Sequence, residues 1–141
     1  MAALAQADRD AITDLVHRFF WLVDHGRADE TGALFAPTAA LTFAPGSPKP
    51  GTLEGPAIAE AMKARAAQRE ITTRHVLSNI TLTPRPDGQV EGYLLLTLFR
   101  ASAANPPPDP AAVADIEDVY VKTAEGWRIA RRVITPIFSR T

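Results

Sequence analysis

The sequence predicts an α+β fold: a strongly curved antiparallel sheet with N-terminal helices packed on its concave face, forming a cone-shaped α+β barrel with an internal pocket. Three observations predict it. An amphipathic helical stripe occupies the first 25 residues, an Ala-rich helical stretch follows Pro56, and four strand-like runs follow Glu70 in succession, separated by turns. Helices first and a meander of long strands second is an α+β order. A curled sheet closed at one end by helices leaves a conical interior, the natural place for a small ligand.

The first helix spans Asp8 to His25, because Ile12, Leu15, Val16, Phe19, Phe20, Leu22 and Val23 follow helical spacing and Trp21 widens the stripe. Asp8 is its expected N-cap, and His25-Gly26 ends it, with a cation in the last turn and a residue that tolerates positive φ. Asp29 caps a short second helix reaching Phe35, which Pro37 stops. Ala39 to Phe43 reads as a short strand, and Ala44 to Glu54, rich in proline and glycine, as a loop. Pro56 suits the first turn of a helix from Gly55 to Arg69 with Ile58 and Met62 facing inward.

The long strands follow. Ile71 to Thr83 turns at Pro84-Arg85-Pro86-Asp87-Gly88 into Val90 to Ala101; Asn105 to Pro110 is a proline-rich loop; Val113 to Thr123 turns at Ala124-Glu125-Gly126 into Trp127 to Phe138. No repeat or linker divides the chain, so one domain over residues 1–141 is expected.

Composition narrows the function. The absence of cysteine excludes thiol catalysis, disulfides and cysteine-ligated metals, and a formal net charge of −1 gives no footprint for nucleic acid or an anionic membrane. Met1 to Asp10 lacks the basic-then-apolar pattern of a signal peptide, and no apolar run approaches the ~20 residues of a membrane span, so a cytoplasmic location is expected. Three histidines without a two-histidine motif at helical spacing suggest no metal centre, and no glycine-rich phosphate loop or nucleotide fingerprint suggests a cofactor.

The most chemical stretch is the strand Thr73 to Leu82. With period two, His75, Leu77, Asn79 and Thr81 point one way and Arg74, Val76, Ser78, Ile80 and Leu82 the other. Apolar residues on both faces imply a strand covered on both sides, so His75 and Asn79 need partners, a ligand or water. Asp24, among Trp21, Leu22 and Val23, is a carboxylate that would be costly unpaired. A His–Asp pair would relieve that cost and make a general base; a core histidine bonded to backbone, with Asp24 a polar residue of the last helical turn, is the alternative that these residues leave open. Asp115, Glu117 and Asp118 on one strand face Arg128, Arg131 and Arg132 on the next, a pattern of cross-strand ion pairs in which Asp118 shares a face with Ile116 and Tyr120.

Asp24-His25-Gly26 ending an aromatic-rich helix, Leu34-Phe35-Ala36-Pro37-Thr38, Gly55 opening a helix, Arg74-His75 with Asn79, and Gly126-Trp127-Arg128-Ile129 with Arg131-Arg132 resemble, in order and spacing, the SnoaL-like branch of the nuclear-transport-factor-2-like superfamily. The resemblance covers nearly the whole chain. It extends to scytalone dehydratase-like and polyketide cyclase-like members, and the superfamily also holds isomerases, epoxide hydrolases, small subunits of aromatic-ring hydroxylases and non-catalytic proteins. In dehydratase-type members a histidine on the strand after the helices is poised by an aspartate ending the first helix, which implies catalytic roles for His75 and Asp24. Two tyrosines of that pattern are replaced here by Val23 and Phe43.

Three readings result. One is a cofactor-free lyase or isomerase acting on a small apolar cyclic carbonyl or hydroxyl compound, with Asp24 and His75 catalytic, Phe20, Trp21, Phe43 and Leu77 forming an apolar wall, and Asn79 a lesser polar contact. The second is a non-catalytic ligand-binding or association domain; the third is a hydroxylase small subunit with a large partner. A homodimer is expected in each, because an open curved sheet leaves an apolar outer face that the family commonly covers this way.

Overall fold

A computed structural model describes residues 3–102 and 110–140. The expected loop residues Asn105 to Asp109 lie outside the described residues. Helix α1 (Gln6–Asp24) and a short 3-10 helix (Ala28–Leu34) lead into strands β1 (Phe35–Phe43) and β2 (Gly51–Glu54), helix α2 (Pro56–Ala66), and the long strands β3 (Ile71–Pro84), β4 (Val90–Ser102), β5 (Ala112–Thr123) and β6 (Gly126–Ser139). The six strands form one curved, unclosed sheet in the order β2-β1-β6-β5-β4-β3.

Helix α1 forms where the stripe predicts and buries Ile12, Leu15, Val16, Phe19, Phe20, Leu22 and Val23. Each such side chain removed from water contributes roughly 1.5–3 kcal/mol, so this face dominates the docking of the helix. Its start differs from expectation. Ala5 precedes the first turn without a side-chain cap, and Asp8 instead accepts hydrogen bonds from Trp127 Nε1 at 2.9 Å and Lys122 Nζ at 3.4 Å. The carboxylate thus ties the helix start to β5 and β6 rather than to its own backbone. Asp29 likewise caps nothing, since the short helix begins after Arg27. At the end of α1, Gly26 takes φ +75° and His25 donates from Nδ1 to Trp21 O at 2.6 Å, as a helix-terminal residue should.

The sheet departs from the predicted pattern in three places. Strand β1 starts at Phe35 rather than Ala39, passing through Pro37 where its register with β6 shifts; Pro is tolerated there because the ladder is interrupted. Strand β2 forms inside the segment expected to be loop and pairs antiparallel with β1. Strand β1 pairs with β6 in parallel, so the sheet is antiparallel at every junction but this one. Helix α2 ends at Ala66, short of Arg69.

Two bulges decide which side chains face α1. In β3 the register slips between Ser78 and Thr81, and Asn79 sits there at φ +57°. Asn is among the few non-glycine residues that adopt this conformation readily. Beyond it the parity flips, so Thr73, His75, Leu77, Ile80 and Leu82 are covered while Thr81 and Thr83 are exposed. In β6 the register slips between Ile129 and Arg131, placing Ile129 and Arg132 both in the core despite their odd spacing.

The interior expected to be hollow is largely filled. Phe19, Phe20, Leu94, Ile116, Tyr120, Ile129 and Arg132 are buried within it. Gly92 makes that packing feasible: a Cβ at this position would lie 2.5 Å from Cε2 of Tyr120. The tyrosine ring occupies the space that any larger residue on β4 would need.

Candidate functional site

Asp24 is the last residue of α1, and β3 runs beside that helix end, so the chain brings a carboxylate and His75 together across 51 positions. Asp24 Oδ1 lies 2.5 Å from His75 Nδ1 and accepts a second hydrogen bond from the Thr73 hydroxyl at 2.8 Å. Its other oxygen accepts the backbone N–H of His75 at 2.9 Å. Three donors therefore converge on one carboxylate, fixing its plane. Arg65 on α2 donates to Thr73 Oγ1 at 3.2 Å, and Arg74 donates to the Asp24 carbonyl at 2.9 Å.

Burial by itself pushes the Asp24 carboxyl up. The hydrogen bonds from the His75 ring and backbone, the imidazole charge and the Thr73 hydroxyl outweigh it, and the carboxyl sits below its ordinary value. Asp24 is therefore an acceptor for the Nδ1 proton. Nε2 makes no hydrogen bond to a described residue. The His75 ring stays slightly open, with 12% of its side chain exposed.

It opens on a cleft of about 210 Å³ lined by His17, Phe20, Trp21, Asp24, His25, His75 and Leu77. Phe20 packs against the imidazole with ring centres 4.8 Å apart, and Trp21, half-exposed at the rim, stacks on His25 at 4.2 Å. Of the residues expected to form the site, the structure brings Asp24, His75, Phe20, Trp21 and Leu77 to one cleft. It does not bring Phe43 or Asn79 there. Phe43 packs against the core from the end of β1, and the bulge turns Asn79 out to solvent, so its expected position on the His75 face is corrected.

Sequence reasoning missed Thr73 and Arg65. Thr73 carried a signal, because it stands two residues before His75 and so on the same face. Arg65 carried none, since α2 meets β3 only in the folded chain. Among the described residues, no three His, Asp or Glu side chains are grouped to hold a metal ion, and no helix is long and apolar enough to cross a membrane.

A second polar cluster lies deeper. Arg132 donates from Nε and Nη2 to the two oxygens of Asp118 at 2.8 and 2.7 Å, and Tyr120 Oη donates to Asp118 at 2.6 Å. Arg132 and Asp118 have fully buried side chains. Burial would pull the guanidinium down, but the Asp118 charge and hydrogen bonds carry it above its ordinary value; burial and the same carboxylate push the Tyr120 hydroxyl far up.

The profile of the SnoaL-like domain family matches residues 5–133. No curated protein matches. Solved structures share the fold. A nuclear-transport-factor-2-like protein with a cystatin-like fold from Novosphingobium aromaticivorans is 22% identical over 96% of this chain and 85% of its own, with a TM-score of 0.78. A protein of the same organism, provisionally assigned as a scytalone dehydratase, is 18% identical over 95% and 87%, at 0.80. ActVI-ORFA from Streptomyces coelicolor is 17% identical over 92% and 96%, at 0.76.

Proposed function

Because this chain belongs to the SnoaL-like family, we propose that it is a cofactor-free lyase or isomerase acting on a small, apolar, cyclic carbonyl or hydroxyl compound, with His75 moving the proton and Asp24 orienting it. The observation that carries the reading is the 2.5 Å contact between Asp24 Oδ1 and His75 Nδ1 at the wall of a cleft that Phe20, Trp21 and Leu77 also line. A proton on Nδ1, held by Asp24, leaves the Nε2 lone pair for the ligand. Nε2 takes a proton from the carbon beside the ligand carbonyl, giving an enolate and an imidazolium stabilised by Asp24. The imidazolium returns the proton to a departing hydroxyl, releasing water, or to another carbon, giving an isomer. Either way the histidine ends as it began.

Phe20, Trp21 and Leu77 supply the apolar surface against which a ring would lie. His75→Ala is expected to abolish turnover while circular dichroism stays that of the parent, with thermal unfolding lowered because Asp24 loses one of its three donors. Undiminished turnover in that variant would contradict the assignment. The substrate search that this requires is a thermal-shift screen of small cyclic ketones and alcohols.

A non-catalytic ligand-binding role is favoured by one specific observation. Where the dehydratase pattern has two tyrosines, this chain has the buried Val23 and the core-packed Phe43, so no phenol is there to hold a carbonyl oxygen. Binding without turnover in the same screen would select it.

The reading further has one domain over residues 1–141, acting in the cytoplasm without nucleic acid, as a homodimer. The face of the sheet away from α1 supports the last point: Val76 and Tyr93 are exposed there, and Leu95, Phe99 and Val133 only half-buried. Tyr93→Asp should convert a dimer to a monomer in light scattering.

A further inference from the structure

We propose that Arg65 and Thr73 are positioning residues for the proton-transfer pair: Arg65, reaching across from α2, turns the Thr73 hydroxyl hydrogen onto Asp24, and that hydroxyl keeps the proton between Asp24 and His75 on the imidazole. The inference rests on the roles given above to Asp24 and His75 and deepens them by naming what holds the proton on the ring.

The direction of each hydrogen bond follows from its chemistry. A guanidinium has N–H donors and no acceptor, whereas a hydroxyl has one hydrogen and lone pairs that can receive another. Arg65 Nη2 therefore donates to Thr73 Oγ1, at 3.2 Å, and the hydroxyl hydrogen goes to Asp24 Oδ1, at 2.8 Å. Thr73 is 4% exposed, so solvent offers that hydrogen little competition. The oxygen it reaches is the same Oδ1 that faces His75 Nδ1. A donor on a carboxylate favours its charged form, so the hydroxyl makes Oδ1 less ready to take the Nδ1 proton.

Arg65 is an unexpected partner for a hydroxyl. It is half-buried, yet among the described residues no carboxylate lies within ion-pair distance of it. Burial pulls its guanidinium below the ordinary value and the Arg100 charge adds to that, while Asp24 and Glu70 oppose it. A charged side chain is thus partly desolvated to reach Thr73, which packing alone would not require. The other ionisable groups around the pair are His17 and His25 on α1, Arg74 on β3, Arg100 on β4 and Glu70 just before β3. Among the described residues, only Thr73 and His75 donate to the Asp24 carboxylate.

Carboxyl-carbon NMR of the full chain through the acid range tests the relay, with Asp24→Asn identifying the resonance. Burial raises the Asp24 carboxyl, and the His75 and Thr73 donors bring it below its ordinary value. Thr73→Val should therefore move the titration of Asp24 to higher pH, and Arg65→Met should move it the same way. Thr73→Ser keeps the hydroxyl and should give no more than about half the shift of Thr73→Val. Because Arg65 acts through the hydroxyl, Arg65→Met/Thr73→Val should go no further than Thr73→Val alone. If a variant unfolds in acid, the pH dependence of urea unfolding reads the same quantity. The Asp24 contribution is present above the unfolded value and lost as pH falls through the folded one. A variant whose folded value lies nearer the unfolded one should accordingly lose less stability between neutral and acid pH than the parent does. An Asp24 titration unmoved in Arg65→Met, or single-variant shifts that add fully in the double variant, would overturn the relay. Neither measurement involves turnover, so this failure is distinct from that of the proposed reaction, which falls if His75→Ala keeps its turnover.

Discussion

Asp24 and Asp118 are the same chemical group in similar company, and each accepts three hydrogen bonds. Asp24 is held by an imidazole, a hydroxyl and a backbone N–H at the wall of an open cleft. Asp118 is held by a guanidinium fork and a phenol where no solvent reaches. The partner decides the role. An imidazole exchanges its proton near neutral pH and keeps one nitrogen for a ligand, whereas a guanidinium stays charged and can only hold its geometry. On the proposed reading the outer pair moves protons, while the inner pair holds its place in the core.

The inner pair should give the largest stability effects. Asp118→Ala leaves the Arg132 charge buried and uncompensated, and urea unfolding should show a loss of about 3–5 kcal/mol. Asp118→Leu/Arg132→Met should recover most of that loss; a double variant as unstable as the single one would show that the charge is not what matters. Gly92→Ala should follow, at about 1–3 kcal/mol, because the Tyr120 ring must move and take its hydrogen bond to Asp118 with it.

The outer pair should act on chemistry more than on stability. Asp24→Asn should lower turnover by about 10²–10⁴-fold, in the range for loss of general acid–base function. Its stability effect depends on pH. The Asp24 carboxyl sits below its ordinary value in the folded chain, so its contribution is present above the unfolded value near 3.9 and is lost as pH falls through the folded one. Parent and variant should accordingly differ in urea unfolding near neutral pH, and the difference should shrink as pH falls through the folded value. Smallest of all, Trp21→Ala should change stability by about 0.5 kcal/mol or less, since the ring is half-exposed at the rim, while weakening any ligand that lies against it.

How far the sequence could be read follows from where information is local. The α1 stripe and the turns between β3 and β4 and between β5 and β6 are short-range signals, and those elements form where expected. Asp24 and His75 were legible because a carboxylate at a helix end and a histidine on a strand read as covered on both sides are both awkward without a partner; the face carrying Arg74, Val76 and Ser78 is in fact exposed. The bulges were harder. A strict period of two places Asn79 beside His75 and Arg131 beside Ile129, but each bulge inserts a residue and reverses the faces beyond it. The apolar sequence Leu77, Ile80, Leu82 did carry the change of parity, with Asn79 between as the residue able to take a positive φ. For Arg132 the signal was the cross-strand pattern, with Asp118 sharing a face with Ile116 and Tyr120, but period two alone did not single it out from Arg128 and Arg131. Strand β2 and the parallel pairing of β1 with β6 depend on contacts between distant segments, and no local pattern encodes them.

The central claim is that Asp24 holds the Nδ1 proton of His75 and leaves Nε2 for a ligand. Nitrogen NMR of the histidine rings, at a pH where His75 is neutral, tests this most directly. The account predicts the tautomer protonated at Nδ1, and a shift toward the Nε2-protonated form in Asp24→Asn. A His75 ring protonated at Nε2 in the parent protein, unchanged by that substitution, would contradict it.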